Sequence, residues 1–394
     1  MNSSIGCDFN KCPDICGSDN YWNIDYATLK CVPNDLNFTI PFDFYSQIFV
    51  FMVSIIGAIT GLGGGGLLIP FIFLTTSLPT ETVVPIVSMA IFGASITQYC
   101  FNAKIGRIEE SNKPLINYNF LLTQSPMFSF FAYFGALLNQ YSSKLILLIL
   151  IITFSILSGI KSIVIVIQSC KNKKTPTIDD IESQENIKSP MISFFQKQII
   201  IPLLIVFIWY VITSIFSNYR QYYEFDNYKY WLFFMGHFIS LIFLMSGINI
   251  YLKKKQSNDP DYKWTYFKMI KMELISGVVG AYSAFVGLGG GIIMIPYMIH
   301  EKIPQPIVSS SNSITYVYST LATSLQYYFT APIFLYKYGF SMMVSGSLGG
   351  WCGLIIYNKY IIDTKRYYIQ SIVLMCGIFG SIFLLILSLI FMVK

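Results

Sequence analysis

The sequence predicts an all-α polytopic membrane protein made of two inverted repeats. Each repeat is a Gly-broken re-entrant helix hairpin followed by about three transmembrane helices. Composition is the first ground for this. Of 394 residues, 54% are hydrophobic and 12% charged, with a mean hydropathy of +0.57, whereas a soluble chain carries about 25% charged residues. The second ground is a series of long apolar stretches from Phe44 to Val393, each near the ~20 residues that cross a hydrocarbon core. The third is a motif used twice. Gly61-Leu62-Gly63-Gly64-Gly65-Gly66 runs on to Ile69-Pro70, and Gly287-Leu288-Gly289-Gly290-Gly291 runs through Ile292-Ile293-Met294-Ile295 to Pro296. Each glycine costs about 1 kcal/mol against alanine in a helix interior, so neither segment is expected to stay helical. Backbone freed at membrane depth survives only where protein buries it or where it lines a cavity.

In chain order, residues 1–43 form a polar head with Cys7, Cys12, Cys16 and Cys31, half of the eight cysteines. Four cysteines in so short a segment predict disulfides in an oxidising compartment, with the pairing left open by the spacing. Zinc is the lesser reading, because the head has no histidine and no paired C-x-x-C. Asn2-Ser3-Ser4 and Asn37-Phe38-Thr39 are glycosylation sequons. Asp8, Asp14, Asp19, Asp25, Asp35 and Asp43 outnumber Lys11 and Lys30, which favours an extracytoplasmic head. No signal peptide stands out ahead of the first apolar run near Phe44, so the first membrane segment is expected to translocate the head. The first repeat covers 44–169, with spans after its glycine segment at 82–103, 119–138 and 144–169. A polar loop at 170–197 is expected on the cytoplasmic side. Residues 198–271 add a helix pair, at 198–216 and 230–250, and a basic loop. The second repeat covers 272–394, with its glycine segment at 272–299 and spans at 306–330, 340–357 and 367–392.

Charge placement decides the topology. If the first glycine segment crossed once with the head outside, the basic stretches Lys104–Lys113, Lys171–Lys197 and Lys253–Lys271 would all face outward, against the positive-inside rule. If each glycine segment instead folds back as a hairpin with two arms of about 15 residues, ~22 Å each, those stretches and Lys359, Lys365 and Arg366 fall inside. Five full crossings then separate the hairpins. The number is odd, so the two copies enter from opposite faces. Plasma membrane and endomembrane are both compatible with this arrangement.

The doubled Gly-x-Gly-Gly-Gly…Pro pattern resembles the sulfite exporter family TauE/SafE. After each proline that family has a short loop, a second proline and a Ser-rich helix. Here Leu78-Pro79 leads to Ser88 and Ser95, and Ile303-Pro304 leads to Ser309-Ser310-Ser311-Asn312-Ser313. The similarity covers roughly Phe44–Ser169 and Lys271–Phe391, with Lys171–Tyr251 reading as an insertion relative to short members. The resemblance implies export or facilitated movement of sulfite, sulfonates or related small anions.

The residues support that class independently. Interrupted apolar segments at matching places in two halves point to a transport site. Broken helices aim N–H groups and roughly half a positive charge at an anion. Apart from Lys144 at the edge of the 144–169 span and Lys161 within it, the spans as bounded above hold no Lys or Arg, so dipoles and neutral groups are left to do most of the binding. The candidates are Gly63, Gly64, Gly65, Gly66, Gly289, Gly290 and Gly291, with Ser88, Ser95, Gln98, Ser310, Asn312, Ser313 and Gln326 from the helices that follow. A single glycine serves helix packing as readily as a site, but a run with a matched copy exceeds what packing needs. His237 is read as a structural histidine and Glu273 as an interface residue beside Lys271. Trp209, Tyr210, Trp231 and Trp264 near span ends are read as interface anchors.

An enzyme is not expected. The glycines lack the strand–helix context of a dinucleotide loop and the Gly-Lys-Ser/Thr of a P-loop, and no catalytic or metal-binding set appears. No cofactor is implied. The expected partners are a small anionic solute and the lipid bilayer, with a homo-oligomer allowed. Nucleic acid is not expected, because the net charge of +6 comes from lysines beside apolar segments. The alternative is a membrane receptor or sensor using the Cys-rich head, which leaves the doubled glycine motif without a role.

Overall fold

The computed structural model describes residues 22–25, 30–33, 41–61, 65–75, 80–106, 114–142, separate positions from 145 to 163, 197–221, 223, 227–255, 264–287, 289–301, 303–330, 335–362 and 367–393. In the head, β1 (Trp22–Asp25) and β2 (Lys30–Pro33) pair antiparallel, with Ile24 opposite Cys31. This small hairpin is the one departure from the expected all-α class among the described residues. Cys7, Cys12, Cys16, Asn2 and Asn37 lie outside them.

The helices are α1 (Pro41–Thr60), α2 (Gly65–Thr75), α3 (Thr80–Asn102), α4 (Tyr118–Tyr141), α5 (Lys197–Gln221), α6 (Tyr228–Lys255), α7 (Tyr266–Val286), α8 (Gly291–His300), α9 (Gln305–Thr330), α10 (Tyr336–Tyr357) and α11 (Tyr367–Val393). Further helical residues lie between 145 and 163, and a π turn (Asn358–Ile362) follows α10. Six of the described helices, α3 to α7 and α10, are long and apolar enough to cross a membrane. The chain is an integral, multi-pass helical membrane protein.

Both glycine segments break the helix. α1 ends at Gly61 with φ 77° and α7 at Gly287 with φ 79°, the left-handed conformation that suits glycine just past a helix end. Each N–H closes the last turn, Gly61 onto the Gly57 carbonyl at 2.8 Å and Gly287 onto the Ser283 carbonyl at 2.6 Å. The arms are unequal, contrary to the two arms of about 15 residues expected above. α1 and α7 have 20 and 21 residues, α2 and α8 only 11 and 10. The reason is where the left-handed glycine falls. It is the first glycine of each run, so the whole preceding apolar stretch stays in the first arm. The short arms also lie elsewhere than on their own long arms, α2 chiefly against α11 and α8 chiefly against α9.

Proline in the middle of a short arm costs a backbone hydrogen bond. Pro70 in α2 cannot donate to the carbonyl four residues back, which is that of Gly66. The Ser381 hydroxyl of α11 donates to this freed oxygen at 2.6 Å. Ser381→Ala is therefore expected to lower stability by about 1–3 kcal/mol, the cost of a buried acceptor left unmet, read as a drop in the unfolding midpoint of the purified protein in detergent.

The two halves are interlaced. α1 packs along α10 and α7 along α4; α3 packs along α10 and α9 along α4; α3 and α9 pack on each other. Exchanging α1–α4 with α7–α10 maps these helix pairings onto one another. Small residues let the backbones touch. A Cβ on Gly135 would overlap the Ala281 carbonyl oxygen, and one on Gly280 the Phe128 carbonyl; Gly346 and Gly349 of α10 lie in the same way against Ala90 and Phe51. α5 and α6 are attached at the outer side of α4.

Three of the four aromatic residues expected as interface anchors are buried. Trp209 donates its indole N–H to the Ser129 hydroxyl at 2.7 Å, Tyr210 donates to the Tyr318 carbonyl, and Trp264 packs on Phe120 with ring centroids 5.4 Å apart. They turn inward because α4 and α9 offer acceptors and ring faces there. Trp231, 52% exposed, remains at the surface.

Candidate functional site

α9 is the element that stands apart. It has 26 residues, enough to span a bilayer, yet its polar content keeps it out of the apolar spans. Its Ser309, Ser310, Ser311, Asn312, Ser313, Thr315, Ser319, Thr320, Thr323, Ser324 and Gln326 are all buried, between α3, α4 and α8. Most of the hydroxyls are spent within the helix. Ser313 donates to the Ser310 carbonyl at 2.6 Å, Thr320 to that of Tyr316 at 2.7 Å and Thr323 to that of Ser319 at 3.0 Å. Such back-bonding lets a hydroxyl-rich helix sit in apolar surroundings.

Among the groups left over on α3 and α9, four are Ser95 Oγ, Gln98 Nε2, Asn312 Nδ2 and Tyr316 OH, buried without a hydrogen-bond partner, as is Ser324 Oγ about two turns beyond Tyr316. All four can donate, and the two amide nitrogens only donate. Asn312 and Tyr316 lie one turn apart on one face of α9, and Ser95 and Gln98 share a face of α3. Unmet donors in a dry interior are costly, so such groups on two helices that pack on each other suit an anionic occupant better than a cationic one.

Tyr316 ties these donors to the second glycine break. Its hydroxyl occupies the space a Cβ on Gly291 would need, and its ring edge lies 3.4 Å from where a Cβ on Gly289 would stand, with Ile91 of α3 at 3.7 Å. Gly289 is left-handed at φ 72°. Gly290 caps α8 with no side-chain hydrogen bond, so the first turn of α8 presents backbone N–H groups toward the Tyr316 side. The preceding helix end is closed by the protein. The Tyr327 hydroxyl donates to the Ala284 carbonyl at 2.8 Å, and Asn139 donates to that of Phe285 at 2.6 Å. The two breaks also reach across the halves. A Cβ on Gly287 would stand 2.7 Å from Ile69 of α2, and one on Gly61 would stand 2.6 Å from the Ser309 hydroxyl of α9.

The predicted residues separate on this geometry. Ser95, Gln98, Asn312, Gly289, Gly290 and Gly291 belong to the α3–α8–α9 region. Ser88 and Ser310 are buried nearby in sequence without an unmet group. Ser313 spends its hydroxyl on its own helix. Gln326 is turned to α5, exchanging hydrogen bonds with Ser217 at 3.1 and 3.2 Å, which gives it a tethering role. Gly65 and Gly66 begin α2, where a small cavity lies among Val53, Thr60, Gly66, Ser155 and Ser381. Its walls are mainly apolar, and only Ser155 has an unmet hydroxyl there. Gly63 and Gly64 lie outside the described residues.

Tyr316 was not among the sequence candidates, although its place one turn after Asn312 on a Ser-rich helix was a usable signal. Arg220 is a second omission and a correction. The span expected to end at 216 continues to Gln221, and the Arg220 side chain is buried at 2% exposure, so a cation does lie inside the bundle. Glu273 is buried at 6%, not interfacial, while its neighbour Lys271 pairs with Glu301 at 2.9 Å. That ion pair holds the Glu301 carboxyl below the usual carboxylate range, Lys271 being the main cause. His237 is enclosed by Phe130, Trp209 and Phe216 rings, with Nε2 3.3 Å from the Thr213 hydroxyl.

A family model described as "Sulfite exporter TauE/SafE" matches residues 232–384, from within α6 to within α11. Sulfite exporter TauE/SafE family protein 3 of Arabidopsis thaliana is 21% identical over 374 residues, covering 84% of this chain and 75% of that one. The chain is similar to TauE/SafE family proteins over most of its length. Family protein 5 of the same plant is 21% identical over 318 residues, 71% of this chain and 68% of that one. No solved structure matches the chain. TauE/SafE is by its description a family of sulfite exporters. Its match includes α8, α9 and α10, so the unmet donors of α9 lie in a part of the chain that the family pattern describes.

Proposed function

We propose that this protein moves a small anion, sulfite, a sulfonate or a related sulfur oxyanion, across its membrane through the region between α3, α8 and α9. The observation that carries the reading is the buried polar α9, whose Asn312 amide and Tyr316 hydroxyl have no partner beside a glycine-rich helix start. An oxyanion entering there exchanges hydration for the Asn312, Gln98, Ser95 and Tyr316 donors and the N–H groups of the first turn of α8. The dipole of that short helix adds roughly half a positive charge. Donors of modest strength suit a conduit, since binding has to be strong enough to strip water and weak enough to release. The names of the Arabidopsis relatives supply the sulfur chemistry.

In this reading the two halves are oppositely oriented repeats, consistent with their reciprocal packing, and the head is extracytoplasmic in a plasma membrane or endomembrane. The test is flux of labelled sulfite, sulfate, thiosulfate and a short sulfonate in proteoliposomes of the purified protein. Wild type is expected to carry at least one of them well above protein-free vesicles. Asn312→Leu is expected to cut that flux about tenfold or more, since a hydrogen bond to a charged group contributes about 1.5–3 kcal/mol. Wild-type vesicles no leakier than empty ones to every anion would defeat the proposal.

A further inference from the structure

Arg220 in the last turn of α5 is the one Lys or Arg that is buried among the described residues, at 2% exposure. Its guanidinium lies over the Tyr133 ring of α4, 3.3 Å from the centroid, with the Phe234 ring of α6 6.0 Å away. The Tyr133 hydroxyl is bonded to that of Tyr230 at 2.8 Å, so neither phenol is offered to the guanidinium as its primary partner. The ring face and the negative end of α5 both favour the charge. Neither accepts the in-plane N–H groups. Nε and Nη2 are buried with no hydrogen-bond partner, and these two atoms form the side-on fork of a guanidinium, with parallel N–H bonds. That fork matches two oxygens of one oxyanion. About two turns further in, His237 Nδ1 is also buried without a partner, and the Phe130 ring lies between the His237 and Phe234 rings, 4.9 and 5.8 Å from them.

We propose that Arg220 is the core of a second anion site, bounded by Tyr133, Tyr230 and Phe234 at the α4–α5–α6 corner, which binds an oxyanion side-on through Nε and Nη2. The fork takes a phosphate- or sulfate-like group, whether from a free solute or from a lipid headgroup at the membrane surface. The proposal does not depend on the transport reading, because its readout is binding.

The chain has three arginines, Arg107, Arg220 and Arg366, so the side-chain Nε–H signals of protein labelled with [15N]arginine can be resolved by NMR. Titrating the wild-type protein in detergent with sulfate, at constant ionic strength set by chloride, is expected to shift one of the three signals saturably. In nanodiscs, replacing phosphatidylcholine by phosphatidylglycerol without sulfate tests the lipid source in the same signal. A response to sulfate alone assigns a solute site, and a response to phosphatidylglycerol assigns a headgroup site. Arg220→Lys keeps the charge and loses the fork, and is expected to weaken [35S]sulfate binding, or phosphatidylglycerol capture, about tenfold or more. Gly247→Ala, whose added Cβ meets nothing within 4 Å, is expected to leave it unchanged. Should Arg220→Lys fail to fold, the wild-type NMR titration still decides. The proposal is overturned if no signal responds to either source, or if Arg220→Lys binds as wild type does. It is also overturned if only a Glu224→Gln, Asp226→Asn variant acquires the response, because one of the chain's own carboxylates would then occupy the fork.

Discussion

Gly135→Val is expected to leave no folded protein. The α4 backbone at Gly135 meets the α7 backbone at Ala281 so closely that an added Cβ would overlap the Ala281 carbonyl oxygen, with the Phe285 nitrogen only 2.7 Å away. Ordinary overpacking costs about 1–3 kcal/mol because side chains can shift. Here both obstacles are main chain, and relief requires separating two helices along their whole seam. The loss should exceed about 4 kcal/mol, in the range reserved for severe core lesions. The contrast is Gly247 of α6, where a Cβ meets nothing within 4 Å. Gly247→Ala should be neutral or stabilising by about 0.5–1 kcal/mol from helix propensity. Unfolding midpoints and monodisperse yield in detergent compare the two. Equal yields of both variants would refute the account of the α4–α7 seam.

The second large effect is on flux. Gly291→Val places a side chain in the volume held by the Tyr316 hydroxyl, at the start of α8. Transport should fall about a hundredfold or more, because the obstructing group sits where N–H groups and unmet donors converge and a misplacement of about 1 Å can cost that much. Tyr316→Phe removes the hydroxyl and keeps the ring, and is expected to cost about tenfold with normal folding. The double variant Gly291→Ala, Tyr316→Leu restores room without restoring the donor. It should fold better than Gly291→Val and still transport poorly. Full activity in the double variant would show that the clash, and not the lost chemistry, was the cause.

The helix breaks were legible in the sequence because glycine at φ 77° and 79° is a local property, written in the Gly61 and Gly287 motifs themselves. The polar helix was legible for a similar reason. Five residues from Ser309 to Ser313 cannot face lipid at a reasonable cost, so they announce a buried α9. The lengths of the arms were not legible, since which glycine of a run takes the left-handed turn depends on what packs against it, here Ser309 and Val84. The same limit applies to Arg220. A lone arginine following an apolar run ordinarily marks the water interface, and only the Tyr133 ring across the helix gap draws it inward. Gln326 was a candidate lining group as a polar residue of the helix after the second glycine segment, but it is bonded to Ser217 of a helix far away in sequence.

The seating of α1 against α10 and of α7 against α4 has a consequence for biogenesis. A ribosome delivers α1 to α4 well before their proper neighbours exist, so the early segments must lodge in lipid with their close-fitting faces unclaimed. Assembly can finish only when the last third of the protein arrives and threads its helices between those already inserted. Truncated products should thus be recognised as orphans by membrane quality control, and mutations that slow synthesis between the halves should harm yield more than equally slow codons near the end.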